Sequence, residues 1–566
     1  MSTPRLPVPP LTETTERYLK WVSPLLDETQ FAHTQELVTQ FNQQDGVSLQ
    51  ADLEQFAAKH NDSSWLIDAW LESYLACRGP LPLVSNVGFT IEHQQKVDGY
   101  AGIARWLAAA TAVHVDYLDN GIAAAVTPQG NPVCMRQWQI LQGGIREAAA
   151  ECDRYEFADA NAANRHIGIW HNGYYYRLPA TNAAGQAYDA EAFQVALEQI
   201  GAHTAVNPYP VATPAFLGSE QWADISQQLA QTLANAELLT HMSADLFHLS
   251  LHSRSGMSAD DDLRDGTFNS ESEFWPYKPI TYRFNLATNY LILHCEHTWP
   301  DGGMIKGLVN LIQQQLDAPT HTATEILPID RYEWALNSAL QQNWPRWQQQ
   351  YAEQADIMRV RSTETALAHA IPKGFSQDAL IQFALQYAQL HTYGSIRNTY
   401  EAVDVSHFQS GRTECIRPVS SESVALINAL ASNHANSSQL QAALAEHKNR
   451  VKACKTGHGV NRHLLGLKLM ADRAEQSPEL FADPAYAIIT TDFLSTSTLG
   501  DGAAIRNFAF APTSANGLGV NYTILPQSWL LTLSYTALQH ADAQRFQVAF
   551  AEAAGKLLDL SLQATA

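Results

Sequence analysis

Short runs rich in β-branched and aromatic residues alternate with longer segments of helical periodicity along the whole chain, and this alternation restricts the fold to an α/β class. The strand-like runs are His166–Trp170, Tyr174–Leu178, Asn289–Glu296, Ala487–Thr490, Gly519–Ile524 and Trp529–Tyr535. Between them, helical patterns cover residues 49–76, 97–113, 219–237, 336–357, 376–393, 420–450, 460–473 and 540–560. No fixed-period repeat replaces the alternation. At 566 residues the chain exceeds what one core usually supports, so two domains are expected, with a cleft between them. The Gln- and Glu-rich stretch 336–365 reads as a solvated helix and linker, and the boundary is placed there. Residues 1–358 then form an N-terminal α/β domain and residues 359–566 a C-terminal one, with the N-terminal helices free to pack on the latter.

Charge and cysteine usage narrow the partners. A net charge of −22 repels nucleic acid and anionic membrane surfaces. The six cysteines form no CxxC pair, which fits free thiols in a reduced compartment rather than a disulfide framework or a zinc site. The most apolar segments, such as Ile103–Leu118, are interrupted by Arg105 and His114, so no membrane span is expected. Without a basic, apolar opening or a peroxisomal tripeptide at 564–566, a cytoplasmic location is expected.

The sharpest chemical signal is Leu293-His-Cys-Glu-His-Thr-Trp-Pro-Asp-Gly-Gly303, where a strand runs into Pro300 and a glycine pair before a helix. His297 and Asp301 form an HxxxD pair followed by glycine. A thioester is already an activated acyl donor, so an alcohol attacking it needs a general base and no covalent acyl-enzyme. Asp301 either holds the imidazole or anchors the turn. His294 is an odd number of residues from His297 and points to the opposite face, which makes it structural.

Three further segments carry polar groups in apolar surroundings. Ser495-Thr496-Ser497-Thr498 either supplies a donor to a tetrahedral oxyanion or is an ordinary loop. Gly411–Pro418 follows Thr399-Tyr400-Glu401, and Asn461–Lys468 sets Arg462 beside an apolar helical run. Arg462 needs a carboxylate, from a ligand or from an internal salt bridge.

Taken in order, these segments resemble the carnitine/choline acyltransferase family. The likeness also takes in Pro4–Leu11, Thr15–Leu19, Tyr74-Leu75, Arg78–Leu81, Ser85-Asn86 and Ser376–Gln382, so it spans nearly the whole chain. It implies two chloramphenicol-acetyltransferase-like domains, each a mixed sheet with flanking helices, around an active-site tunnel. It further implies transfer of a short acyl group between coenzyme A and the hydroxyl of carnitine, with coenzyme A as co-substrate, no permanently bound cofactor and no metal. A monomer is expected.

Residue by residue, the resemblance makes His297 the base, Asp301 the acid that positions it and Ser497 an oxyanion donor within the Ser495-Thr496-Ser497 motif. Tyr400, Thr413, Arg462 and Tyr74 fall at the acceptor site, and Lys373, Asp378 and Thr498 at the coenzyme A site, with Thr498 standing where many members have Gln. Choline acyltransferases carry Asn at the place of Arg462, so an anion-bearing alcohol is expected. The departures leave room for a different hydroxyl acceptor, with acyl-CoA or a carrier-protein thioester as donor. Only Lys373 remains of the family's lysine pair, with His369 at the other place, Cys415 replaces Thr, and the Trp70–Tyr74 spacing is one residue short. Phe508 and Phe510 fall on the strand that bounds the acyl pocket. Family members of short-chain specificity carry Met at the place of Phe508 and long-chain members Gly, so Phe508 acts as a plug unless a slip puts Asn507 or Ala509 there or the ring is plain core.

Overall fold

The computed structural model describes residues 3–60, 62–93, 97–119, 121–127, 130–161, 165–316 and 325–564. The final two positions, which belong to the expected lack of a C-terminal tripeptide signal, lie outside them. In chain order the strands are β1 (Val87–Ile91), β2 (Gly144–Glu147), β3 (Arg154–Phe157), β4 (His166–His171), β5 (Tyr174–Pro179), β6 (His248–His252), β7 (Ile280–Asn285) and β8 (Tyr290–Cys295). Then follow β9 (Asp330–Tyr332), β10 (Met358–Ala366), β11 (Thr399–Asp404), β12 (Thr413–Ile416), β13 (Leu494–Ser497), β14 (Ile505–Phe510), β15 (Leu518–Leu525) and β16 (Ser528–Thr536). They build two mixed sheets, β14-β1-β8-β7-β6-β4-β5-β9 and β10-β16-β15-β13-β11-β12, and β2 and β3 form a small ribbon.

Helices cover both sheets, as buried apolar strand faces require. Apolar residues of Gly99–Asp119, Ala190–Gly201 and Gly302–Gln315 close one face of the first sheet. An aromatic cluster holding Trp170, Trp275, Trp344 and Tyr351 closes the other. The second sheet packs on Gln377–Tyr393 and His540–Gln563. The N-terminal helices share a core with Asn461–Arg473 and with the 480s. No helix among the described residues is long and apolar enough to cross a membrane.

Several expectations change in physically instructive ways. Ala487–Thr490 is the end of a helix, Pro484–Thr490, started by Pro484 at its first position and capped by the Asp483 carboxylate accepting from Ala485 N–H. A four-residue apolar run carries too little periodicity to tell a buried strand from a helical turn. Windows 49–76, 219–237 and 420–450 each break into two helices. The helix Ser338–Ala355 is not simply solvated, because Leu340, Trp344, Trp347, Tyr351 and Ala355 lie on one buried face.

One crossover shapes the site. After Ser497 the chain leaves the second sheet, runs as β14 antiparallel to β1 in the first sheet, and returns to the second as β15, parallel to β13. The two sheets therefore share a seam between β13 and β14, and a cavity lined by residues of both strands opens there.

Candidate active site

His297 lies two residues beyond the last residue of β8, in a turn that ends at Asp301, the N-cap of the helix Gly302–Gln315. Its Nδ1 is 2.6 Å from the Pro300 carbonyl oxygen. A carbonyl can only accept, so Nδ1 carries the hydrogen and Nε2 is left with its lone pair. The ring lines a cavity of about 300 Å³ and stands 5.6 Å from that of Tyr74. Burial, followed by the Arg412 charge, pulls the imidazole below the usual histidine value against the raising effect of Asp301. At neutral pH His297 is therefore uncharged and able to take a proton.

His294 occupies the opposite face, fully buried, with Nδ1 against the Gly266 carbonyl at 3.0 Å and Nε2 3.0 Å from the Asn86 amide. Burial depresses it to about 3. Strand alternation is not what separates the two histidines, because only His294 lies within β8 and His297 belongs to the turn after it.

Asp301 addresses the turn and not the ring. Its carboxylate accepts from Arg412 Nε at 2.7 Å, from Arg412 Nη2 at 2.9 Å and from Gln137 at 3.0 Å, while its N–H donates to Gln137 Oε1 at 2.7 Å. Among the described residues no hydrogen bond joins it to the imidazole. Burial works to raise this carboxyl, and Arg412 outweighs it and holds the group below its ordinary range. The same guanidinium donates to the Thr298 and His297 carbonyls at 2.7 and 3.3 Å. Beneath the turn, Glu296 accepts from the Thr298 hydroxyl and from buried Arg146, which also pairs with Asp153. Arg412, Gln137, Glu296 and Arg146 were not singled out from sequence for these roles, since each is defined by a partner distant in the chain or by burial.

The Ser/Thr run is a strand, β13, held in parallel between β11 and β15. Alternation divides its side chains. Thr496 faces the interior, donating to the Tyr400 carbonyl at 2.8 Å and accepting from Gln382 at 2.9 Å. Ser495 and Ser497 face the cavity together with His297, and among the described residues neither hydroxyl has a hydrogen-bond partner. Thr498 also borders the cavity, but its hydroxyl closes a turn, donating to the Tyr522 carbonyl at 2.6 Å and accepting from Gly500 N–H at 3.0 Å.

Tyr74, Tyr400 and Thr413 line the same cavity. Arg462 stands behind them, donating Nη2 to the Tyr400 hydroxyl at 3.3 Å and Nε to the Thr413 carbonyl at 3.0 Å, with its guanidinium 4.4 Å above the Trp70 ring. With that lone pair taken, the Tyr400 hydroxyl hydrogen can point into the cavity. Asp378 is elsewhere, at the start of the helix Gln377–Tyr393, accepting from Tyr522 at 2.6 Å and lying 3.2 Å from His447 Nε2. Lys373 is exposed on the preceding loop. Phe508 and Phe510 line the cavity with Phe89, which sequence reasoning had not named.

The pattern of the choline/carnitine O-acyltransferase family matches residues 6–552. The chain belongs to that family. It is similar to the carnitine O-acetyltransferases of Mus musculus, at 27% identity over 92% of this chain and 87% of the relative, and of Homo sapiens, at 27% over 96% and 91%. It is also similar to the mitochondrial carnitine O-palmitoyltransferase 2 of Bos taurus, at 26% over 96% and 90%. This family member is an O-acyltransferase, and its two mixed sheets put the HxxxD turn on one wall of the cavity and the Ser-Thr-Ser strand on another.

Proposed function

We propose that the protein transfers a short acyl group between coenzyme A and the hydroxyl of carnitine, with His297 as general base and no acyl-enzyme. The observation that carries this reading is the tautomer of His297: Nδ1–H is committed to the Pro300 carbonyl, and Nε2 is free in the cavity shared with Ser497, Tyr400 and Thr413.

In the forward direction Nε2 takes the acceptor's hydroxyl proton as its oxygen attacks the thioester carbonyl carbon. The tetrahedral oxyanion accepts from the Ser497 hydroxyl, with Ser495 on the same face. Collapse breaks the carbon–sulfur bond, and the imidazolium returns its proton to the leaving thiolate, so an ester and a free thiol are formed and the base is restored. The hydroxyls of Tyr400, Thr413 and Tyr74 hold the acceptor carboxylate, with the Arg462 charge behind them. The family resemblance assigns Asp378 and Lys373 to the coenzyme A site, and Thr498 fixes the turn after Ser497.

The test is thiol release from acetyl-CoA with carnitine, choline and other hydroxylated metabolites offered separately and the esters identified by mass spectrometry. Carnitine ester as the main product supports the reading. Transfer to a different alcohol, or only from a carrier-protein thioester, replaces the acceptor or the donor and retains the base.

A further inference from the structure

We infer that Phe89 and Phe508 act as one unit, an aromatic wall across β1 and β14 that limits this enzyme to short aliphatic acyl thioesters, so that lengthening the acyl pocket requires truncating both. The inference rests on the acyl-transfer reading above and adds a specificity residue, Phe89, from the opposite end of the chain.

The two residues are direct cross-strand partners, so their side chains leave the sheet on the same face. Their ring centroids are 5.2 Å apart at 45°, and Phe510 continues the layer 6.1 Å from Phe508. Both rings border the cavity while only 2% and 4% exposed. The β1 register with β8 gives the depth. Val87 stands opposite Cys295, two residues before His297, and Phe89 stands opposite Leu293. The Phe89–Phe508 rung thus lies two rungs deeper than Val87–Phe510, about 7 Å further from the strand end that carries the base.

Neither ring can retreat by moving its strand. At Gly88 a Cβ would lie 2.3 Å from Thr267 Oγ1, so β1 is pressed against the helix Ala259–Phe268. Phe508 N–H donates to Asn521 Oδ1 at 3.1 Å, and Asn521 Nδ2 donates to the Ser497 carbonyl at 3.3 Å, which fixes the wall relative to Ser497. Shortening one ring leaves its partner in place and able to tilt into the space, since packed sites relax partially around a deletion. Shortening both removes the wall.

The experiment compares wild type, Phe89→Ala, Phe508→Gly and the double variant in kcat/KM for acyl-CoA donors from acetyl to decanoyl, with Phe89→Leu/Phe508→Gly as a better-filled alternative should the first pair fail to fold. Calorimetric binding of the unreactive thioether S-octyl-CoA provides a second readout independent of turnover. Each newly accommodated methylene is worth about fourfold. Each single variant is expected to change the octanoyl-to-acetyl ratio by under about tenfold, and the double variant by about 60-fold, the equivalent of about three further methylenes in contact, with a matching gain in thioether affinity. A double variant whose profile and thioether affinity equal those of Phe508→Gly overturns the role of Phe89. Loss of all transfer in wild type with the thioether gain intact removes the acyl-transfer reading and leaves the wall.

Discussion

Arg412 grips Asp301 with two near-parallel hydrogen bonds, Nε to Oδ2 at 2.7 Å and Nη2 to Oδ1 at 2.9 Å, across 111 positions of sequence. Because the same guanidinium holds the carbonyls of His297 and Thr298, it fixes the turn that aims the base. Arg412→Met leaves a buried carboxylate unpaired, and breaking such a pair costs about 3–5 kcal/mol. The expected result is a lower unfolding midpoint together with a fall in kcat. Adding Asp301→Asn should recover part of the stability, because the stranded charge is gone. A double variant no more stable than Arg412→Met would show that the pair does not carry the cost.

The same charges set the acid limb of activity. With His297 as the proposed base, active when neutral, kcat/KM should rise with pH through the His297 value, which burial and Arg412 hold below the ordinary histidine range. Asp301 raises that value and Arg412 lowers it. Asp301→Asn should therefore move the limb to lower pH and Arg412→Gln to higher pH, as read from pH–rate profiles. Shifts of the opposite sign would reject His297 as the titrating base. His297→Ala should lower kcat by about 10²–10⁴-fold with little change in unfolding midpoint.

Alternation on β13 separates two neighbouring hydroxyls. Ser497→Ala should lower kcat by roughly 10²-fold or less through loss of one oxyanion donor, leaving stability near wild type. Thr496→Ala removes a buried donor from the Tyr400 carbonyl and leaves Gln382 Nε2 with only the Tyr522 hydroxyl as acceptor at 3.3 Å, so it should cost about 1–3 kcal/mol of stability. Interchanged phenotypes, measured by turnover and denaturant unfolding, would mean that the strand faces are misassigned.

Why Thr496 and Ser497 differ, and why Arg412 matters, shows how far the sequence could be read. The turn residues Pro300 and Gly302 marked the end of the strand, but period-2 alternation does not reach His297, which lies in the turn beyond β8 while only His294 sits in the strand. Arg412 stood in a segment already singled out, but its partner lies 111 residues upstream, and spacing within a segment carries no information about such a pair. The crossing of β14 into the first sheet was hidden for the same reason. Ile505–Phe510 reads as a strand in either sheet, and only its pairing with β1 brings Phe508 beside Phe89. Ala487–Thr490 failed differently, as a run too short for periodicity to decide.

Buried histidines give the fold a defined acid response. Burial depresses His114 and His463 to about 4, and His252 and His294 to about 3. Their folded values lie below the unfolded value near 6.5, so the unfolded chain binds more protons between those limits. Stability contributed by keeping them neutral is complete above about pH 6.5 and falls as pH drops toward the folded values, each group by up to about 1.4 kcal/mol per unit. Denaturant midpoints should decline from pH 7 to pH 4.5, with net proton uptake on unfolding. A flat midpoint over that interval would contradict the buried neutral state of these rings.

The acceptor side offers the most discriminating test, because Arg462 does not border the cavity and, in the proposed reading, acts through Tyr400. Its Nη2 occupies the Tyr400 oxygen at 3.3 Å, turning the hydroxyl hydrogen toward the space where a carboxylate would sit, and its positive charge is held against Trp70. A carboxylate is bound alike in ground and transition states, so losing this arrangement should raise the Michaelis constant far more than it lowers kcat. Arg462→Asn is expected to cost about 2–4 kcal/mol in kcat/KM for carnitine, and Tyr400→Phe somewhat less, since the charge remains. The two losses should not add, because both variants break the same hydrogen bond. Carnitinamide, which keeps the hydroxyl and the ammonium and lacks the negative charge, provides the control. With wild type it should already be a poor acceptor, and Arg462→Asn should change it by no more than a few-fold. Equal losses for carnitine and its amide would make Arg462 a structural residue of the helix Asn461–Arg473, and full retention of carnitine kinetics would exclude a carboxylate-bearing acceptor at this site.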